Sequence, residues 1–171
     1  MAVRPVVLYE TNEAELRQKS EPALGGAREM KSLISDLKDT LCHHPNGIGL
    51  AAPQIGVHQR VVVVCFGAGE AKKPGPPIGI INPVILEAGR ELPDFDGCLS
   101  LPGLYAKTVR PHLMRLQGLD ERGMAFEWTL EGFDAVVVHH EVDHLNGVLF
   151  IDRVSPLGRY YTENETRGVY V

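Results

Sequence analysis

The chain has 171 residues, a net charge of −5, and 44% hydrophobic and 23% charged residues, which predicts one globular domain over residues 1–171. The acidic balance argues against a general nucleic-acid-binding protein, which usually carries a basic surplus, but leaves a local basic patch open. The longest uncharged apolar stretch, 61–68, is far shorter than the roughly 20 residues of a membrane span, and the N-terminal residues lack the apolar region of a secretory signal. Three cysteines, an odd number, form no disulfide framework and favour a cytoplasmic protein.

The first half of the chain predicts a helix followed by a buried strand. Between Ala27 and Leu41, apolar residues recur at spacings of three and four, which is typical of an amphipathic helix. Arg60–Phe66 contains four consecutive valines and predicts a buried strand. Residues 67–77, rich in Gly, Ala, Lys and Pro, predict a loop.

The second half predicts more strands. Ile78–Glu87 is a second strand candidate that Asn82-Pro83 interrupts. His112–Leu119 and Met124–Glu131 flank a turn at 120–123 and predict a hairpin.

A helical spacing of apolar residues returns over Phe133–Leu145 and predicts the last helix. The order of helix, strands and helix favours an α+β fold, in which mixed or antiparallel β-sheets pack around this C-terminal helix.

That last helix carries a His-Glu-x-x-His pattern at residues 140–144. Residues four apart lie one above the other, so His140 and His144 can bind one metal ion. Glu141 lies beside them, where it can take a proton from a water on the metal. The alternative is a helix with two incidental histidines. His139 lies about 100° away around the helix and is interpreted as a flanking residue.

A catalytic metal needs a third protein ligand. Cys98 follows Gly97, which lets the backbone turn closely beside the thiol. Cys65, inside the valine strand, is most simply a core residue, and Cys42 beside His43-His44 is another alternative. Carboxylates and distant histidines stay open as third ligands.

Small residues dominate the segment 47–56, where a peptide-like ligand can approach the backbone closely. Gln54 can donate a hydrogen bond to a developing oxyanion. The segment lacks the Lys-Ser/Thr ending of a phosphate loop. A tight loop in the core is the alternative interpretation.

Taken together, three segments resemble the motifs of the peptide deformylases, in the same order and over nearly the whole chain: Gly47–Gln54, Asp96–Ser100 and His140–Leu145. The resemblance implies a metal-dependent hydrolase that removes the N-formyl group from N-formylmethionyl peptides of nascent proteins. It implies one divalent metal ion, Fe2+ in the cell with Zn2+, Ni2+ or Co2+ as alternatives, bound by Cys98, His140 and His144.

The resemblance also implies roles for other residues. Glu141 becomes the general base and acid, and Gln54 and the backbone N–H of Leu99 become oxyanion donors. Gly49 pairs with the substrate backbone. The pocket for the methionine side chain is lined by Ile48, Phe133, Val136 and Val137. Tyr105 is a further substrate-binding residue.

The chain departs from the family pattern at several positions. Asp96 replaces the usual Glu and is expected to pair with Arg110. His139 replaces a common Gln, and Tyr105 stands where many members carry a basic residue. Phe95, with its neighbour Asp94, stands near the expected pocket.

Several functions stay open. A deformylase-like amidase acting on another formylated small molecule or peptide is the near alternative. A non-catalytic binding module and a zinc endopeptidase are more distant ones. No long basic tail for docking to the ribosome is present in the sequence, and association with the ribosome stays open.

Overall fold

The computed structural model describes residues 2–24, 27–70 and 74–166. Its helices are α1 (Tyr9–Leu16), α2 (Ala27–His43) and α3 (Phe133–Leu145). Its strands are β1 (Gly49–Ala51), β2 (Val61–Val64), β3 (Ile78–Cys98), β4 (Leu101–Leu119), β5 (Ala125–Glu131) and β6 (Tyr160–Thr162). None of the described helices is long and apolar enough to cross a lipid bilayer.

The described strands form one antiparallel sheet in the order β1-β2-β3-β4-β5. Strand β6 pairs with the first part of β4, at residues 104–106, whereas β5 pairs with its last part, at 113–119. Helix α3 packs against β1, β2 and β4. The predicted α+β fold with a helix buried against a sheet is confirmed, and its sheet is antiparallel.

The periodic segments fold as predicted. Helix α2 begins at Ala27 and continues two residues beyond the predicted end at Leu41, and α3 has the predicted bounds. The predicted hairpin is formed by the end of β4 and by β5. In the predicted loop 67–77, residues 68–70 form a 3-10 turn, and residues 71–73 lie outside the described part of the chain.

The predicted interruption at Asn82-Pro83 is present as a bulge in the ladder and does not end the strand. Strand β3 continues to Cys98, and its register with β4 shifts between Ile81 and Val84. Asn82 has a φ of 51°, and its side chain exchanges hydrogen bonds of 2.8 and 3.2 Å with the backbone of Ala23. This bulge accommodates a proline, which lacks the N–H that a regular ladder requires.

The main core lies between the sheet and the helices α2 and α3. The four valines of β2 are fully buried, as the uninterrupted apolar run predicted. Cys65 is part of this core. A second, smaller cluster packs Cys98 with Leu101 and Phe150. Apolar packing thereby holds the end of β3, where Cys98 lies.

Candidate metal centre

The three predicted ligands meet at one point. Cys98 ends β3, while His140 and His144 lie one turn apart on α3. The Sγ of Cys98 is 3.2 Å from Nε2 of His144, which is 3.1 Å from Nε2 of His140. The three ligand atoms lie within 4.8 Å of one another, and all three side chains are buried. The fold therefore brings a thiol and two imidazoles to one shared position.

The chemistry of these donors fits a divalent metal ion. Tetrahedral ligands bonded at about 2.0–2.3 Å lie roughly 3.3–3.8 Å from one another, close to the spacing found here. Burial and the neighbouring His140 lower the pKa of His144 well below its usual value, so this imidazole is a neutral donor. A set of one thiolate and two imidazoles suits iron, zinc, cobalt and nickel. The site supports a single metal ion.

Asp96 orients the first histidine. Its Oδ1 lies 2.7 Å from Nδ1 of His140, and its Oδ2 accepts hydrogen bonds from Arg110 Nε at 2.6 Å and from the Thr108 hydroxyl at 2.8 Å. Burial opposes charge on the His140 ring, but Asp96 outweighs it and raises the pKa of His140 well above its usual value. A proton on Nδ1 leaves Nε2 to face the ligand cluster, as in many metal-binding histidines. The expected pair of Asp96 and Arg110 is present.

A second carboxylate, Asp143, lies on the other side of Arg110. Arg110 Nη1 donates to Asp143 Oδ2 at 2.7 Å, and Arg153 donates to both Asp143 oxygens, at 2.5 and 2.7 Å. Arg110 Nη1 also lies 2.8 Å from Nδ1 of His139. Burial lowers the pKa of His139 to about 4, so its neutral ring can accept this hydrogen bond. His139 is thus a partner of Arg110 and lies outside the ligand group.

The Glu141 carboxylate lies against Gly49 of β1. A Cβ atom at position 49 would lie 2.2 Å from Oε1 of Glu141 and 2.8 Å from its Cδ, so only glycine leaves room for this carboxylate. Glu141 is 4% exposed, and its Oε2 has no hydrogen-bond partner among the described residues. Burial raises the pKa of Glu141 to about 7. A carboxyl group that changes protonation near neutral pH is suited to proton transfer.

A short 3-10 turn after β1 holds Gln54 beside Cys98. Its Oε1 accepts a hydrogen bond of 2.8 Å from the Ala51 N–H, which fixes the orientation of the amide. Its Nε2 donates to Ser100 Oγ at 3.1 Å and lies 3.4 Å from Cys98 Sγ. Leu99 occupies the turn between β3 and β4, directly after Cys98. The amide of Gln54 therefore presents N–H groups at the ligand cluster.

An apolar pocket lies beside His140 and Glu141. Its other lining residues include the whole predicted methionine pocket: Ile48, Phe95, Asp96, Gly97, Phe133, Val136 and Val137. Val136 and Val137 are buried on α3. A few polar groups beside an apolar wall are typical of a site that binds a small apolar side chain in a fixed orientation.

Tyr105 lies in a different groove. Cys98 and Leu99 line this second groove as well, and Glu163 contributes a carboxylate to it. Tyr105 is 6% exposed on β4, between its partners Gly97 and Tyr161. Tyr105 therefore lies outside the apolar pocket. Both cavities border the segment around Cys98, because Gly97 lines the apolar pocket and Cys98 lines the second groove.

Sequence comparison identifies the family. The sequence profile of the family described as Polypeptide deformylase matches residues 3–160. The chain belongs to this family. It is 40% identical over 160 residues to the peptide deformylase of Cellvibrio japonicus, which covers 93% of this chain and 90% of that protein. It is 38% identical over 166 residues to peptide deformylase 1 of Bacillus subtilis, with 96% of each chain covered.

Solved structures of deformylases share the fold. The peptide deformylase from Thermotoga maritima has a TM-score of 0.80 at 34% identity, covering 91% of this chain and 100% of that one. The Met-Ala-Ser-bound class I type b peptide deformylase from Acinetobacter baumannii has a TM-score of 0.81 at 30% identity, covering 90% and 100%. The family resemblance that the motifs predicted is confirmed.

Sequence reasoning missed the contact of Arg153 with Asp143. The two residues lie ten positions apart, and α3 ends between them. No spacing rule connects a helix residue to an arginine in a later turn, so the only signal was the charge of each residue.

Proposed function

We propose that this chain is a cytoplasmic, metal-dependent hydrolase that removes the N-formyl group from N-formylmethionyl peptides of nascent proteins, with residues 1–171 forming one catalytic domain. The observation that carries the proposal is the convergence of Cys98, His140 and His144 next to a buried carboxylate, Glu141, in a member of the polypeptide deformylase family. The relative from Acinetobacter baumannii that binds Met-Ala-Ser supports a substrate that begins with methionine.

Cys98, His140 and His144 are the proposed metal ligands. When bound, a divalent ion supplies Lewis-acid chemistry, because it lowers the pKa of water and polarises the formyl carbonyl group. We assign Fe2+ as the cellular metal, with Zn2+, Ni2+ and Co2+ as alternatives that suit the same ligands.

Glu141 moves the proton in this proposal. It takes a proton from the attacking water and delivers it to the amine when the C–N bond breaks and formate leaves. Its raised pKa of about 7, caused by burial, lets it act in both directions near neutral pH. The Gln54 amide and the Leu99 N–H donate to the carbonyl oxygen as it gains negative charge, an effect of about 3–4 kcal/mol for one donor in a comparable enzyme.

The substrate extends away from this centre. Its methionine side chain occupies the pocket next to Glu141, lined by Ile48, Phe133, Val136 and Val137. Its backbone pairs with Gly49, which lies on the end strand of the sheet. Tyr105, in the second groove, contacts the peptide further along.

Formate release from a panel of substrates tests the proposal. The protein is purified anaerobically, its metal is measured, and formate is followed with formyl-Met-Ala peptides, free formyl-amino acids and unformylated casein, with Glu141→Gln as the inactive control. We expect the formyl-peptides to react much faster than the free formyl-amino acids. The reverse order would favour the amidase that acts on another formylated molecule. A metal-loaded protein that releases no formate would overturn the enzymatic assignment, and cleavage of casein would favour an endopeptidase.

A further inference from the structure

Arg153 lies outside the three motif segments, in the 3-10 turn Phe150–Arg153. Its Nε donates to Asp143 Oδ2 at 2.5 Å and its Nη2 donates to Oδ1 at 2.7 Å. The Arg153 side chain is 34% exposed, whereas that of Asp143 is 8% exposed. Two parallel hydrogen bonds from a guanidinium to a carboxylate fix both position and direction. Arg153 therefore holds a carboxylate that is almost entirely withdrawn from water.

Two further buried side chains connect Asp143 to the metal ligand His140. Arg110 Nη1 donates to Asp143 Oδ2 at 2.7 Å, and Arg110 Nε donates to Asp96 Oδ2 at 2.6 Å. The other oxygen of Asp96 lies 2.7 Å from Nδ1 of His140. Arg110, Asp96 and Asp143 are all buried. Four charged groups thus connect the surface turn to the His140 ring without a break.

Asp96 and Asp143 share the guanidinium of Arg110, and Arg153 is the second arginine that contacts Asp143. Asp96 and Asp143 bring two negative charges into the interior, and Arg110 supplies one positive charge. A buried carboxylate that loses its partner is strongly destabilised, because water no longer compensates its charge. Without Arg153, Arg110 is the remaining arginine in contact with Asp143, and it is shared with Asp96. Attraction toward Asp143 then competes with the Arg110 hydrogen bond that holds Asp96.

We propose that Arg153 is a positioning residue for the His140 ligand. By neutralising Asp143, Arg153 keeps Arg110 bonded to Asp96, and Asp96 in turn holds the His140 ring with Nε2 facing Cys98 and His144. This inference rests on the proposed metal site, but the orientation of the ring is measurable without metal.

Two variants of Arg153 and a matched control test the proposal. Arg153→Gln removes the charge, and Arg153→Lys keeps the charge but loses the two-point contact. The control is Arg17→Gln, because Arg17 makes a similar two-point contact with Asp152, the preceding residue in the same turn. In the metal-free protein, NMR on labelled histidine measures the exchange of the His140 Nδ1 proton with solvent. Competition with a chelator measures Co2+ affinity, and steady-state assays on a formyl-Met peptide separate kcat from KM.

We expect Arg153→Gln to exchange the His140 Nδ1 proton faster and to bind Co2+ about tenfold more weakly, the lower end of the range for lost outer partners of metal ligands. We also expect the kcat of Arg153→Gln to fall with little change in KM. Arg153→Lys is expected to recover part of each loss, and Arg17→Gln is expected to match the wild type.

Wild-type proton exchange and Co2+ affinity in Arg153→Gln would overturn the proposal, as would equal losses in Arg17→Gln. If Arg153→Gln does not fold, the lysine variant is compared with the control by the same measurements. If the wild type binds no Co2+, the proposed metal site fails, while the proton exchange still decides whether Arg153 positions the His140 ring.

Discussion

Replacing Gly49 by alanine forces a methyl group into the space of the Glu141 carboxylate. The added Cβ would lie 2.2 Å from Oε1, 2.8 Å from Cδ and 3.0 Å from Cγ of Glu141. Because favourable contacts between heavy atoms begin at about 3.5 Å, the carboxylate has to retreat by roughly 1 Å. The moving atoms are the end of a flexible side chain, so the fold tolerates the change. A displacement of about 1 Å in a reacting group, however, can lower the rate about 100-fold.

Three measurements on the same preparations separate an effect on the rate from an effect on the fold. They are formate release, bound metal and thermal unfolding. We expect Gly49→Ala to lose about 100-fold in kcat, to bind metal as the wild type does, and to unfold at nearly the same temperature. Gly89→Ala is the matched control, because an added Cβ at Gly89 meets nothing within 4 Å. A kcat of Gly49→Ala equal to that of Gly89→Ala would show that the reacting carboxylate does not lie against β1.

Three further predictions test separate parts of the site. Glu141→Gln keeps the metal and loses most of the activity, since the amide cannot carry the proton; turnover at the wild-type rate would remove Glu141 from its role. Cys98→Ala loses metal affinity in a chelator competition, whereas Cys65→Ala, a change in the main core, costs about 1–2 kcal/mol of unfolding free energy and leaves metal binding intact. Val137→Ala widens the apolar pocket, so the preference for formyl-Met over formyl-Phe peptides is expected to fall about tenfold in kcat/KM; an unchanged ratio would place the side chain of the substrate elsewhere.

The sequence predicted the elements whose side chains follow a regular period. The bounds of α3 were correct because its apolar residues keep helical spacing from Phe133 to Leu145. The length of β3 was not predictable, because Asn82-Pro83, Gly89 and Pro93 all indicate breaks. Pairing with β4 over most of its length, with a bulge after Ile81, overrides those local signals.

In the candidate site, too, some features could be predicted from the sequence and others could not. Spacing on the helix was enough to nominate His140, His144 and Glu141, because residues four apart on a helix share one face. The third ligand, Cys98, was nominated through the family resemblance. The pair of Asp96 and Arg110 was expected from the family resemblance, but the contacts of Asp143 with Arg110 and Arg153 were hidden, since they depend on how α3 packs against β4 and on the turn after α3. The closeness of Gly49 to Glu141 was equally invisible, because it depends on how β1 packs against α3.

Anomalous diffraction from crystals of the metal-loaded protein locates the bound ion. We expect one metal peak per chain, about 2.0–2.3 Å from Sγ of Cys98 and from Nε2 of both His140 and His144. A peak at another position, or a structure in which these three side chains share no ion, would contradict the proposed metal site.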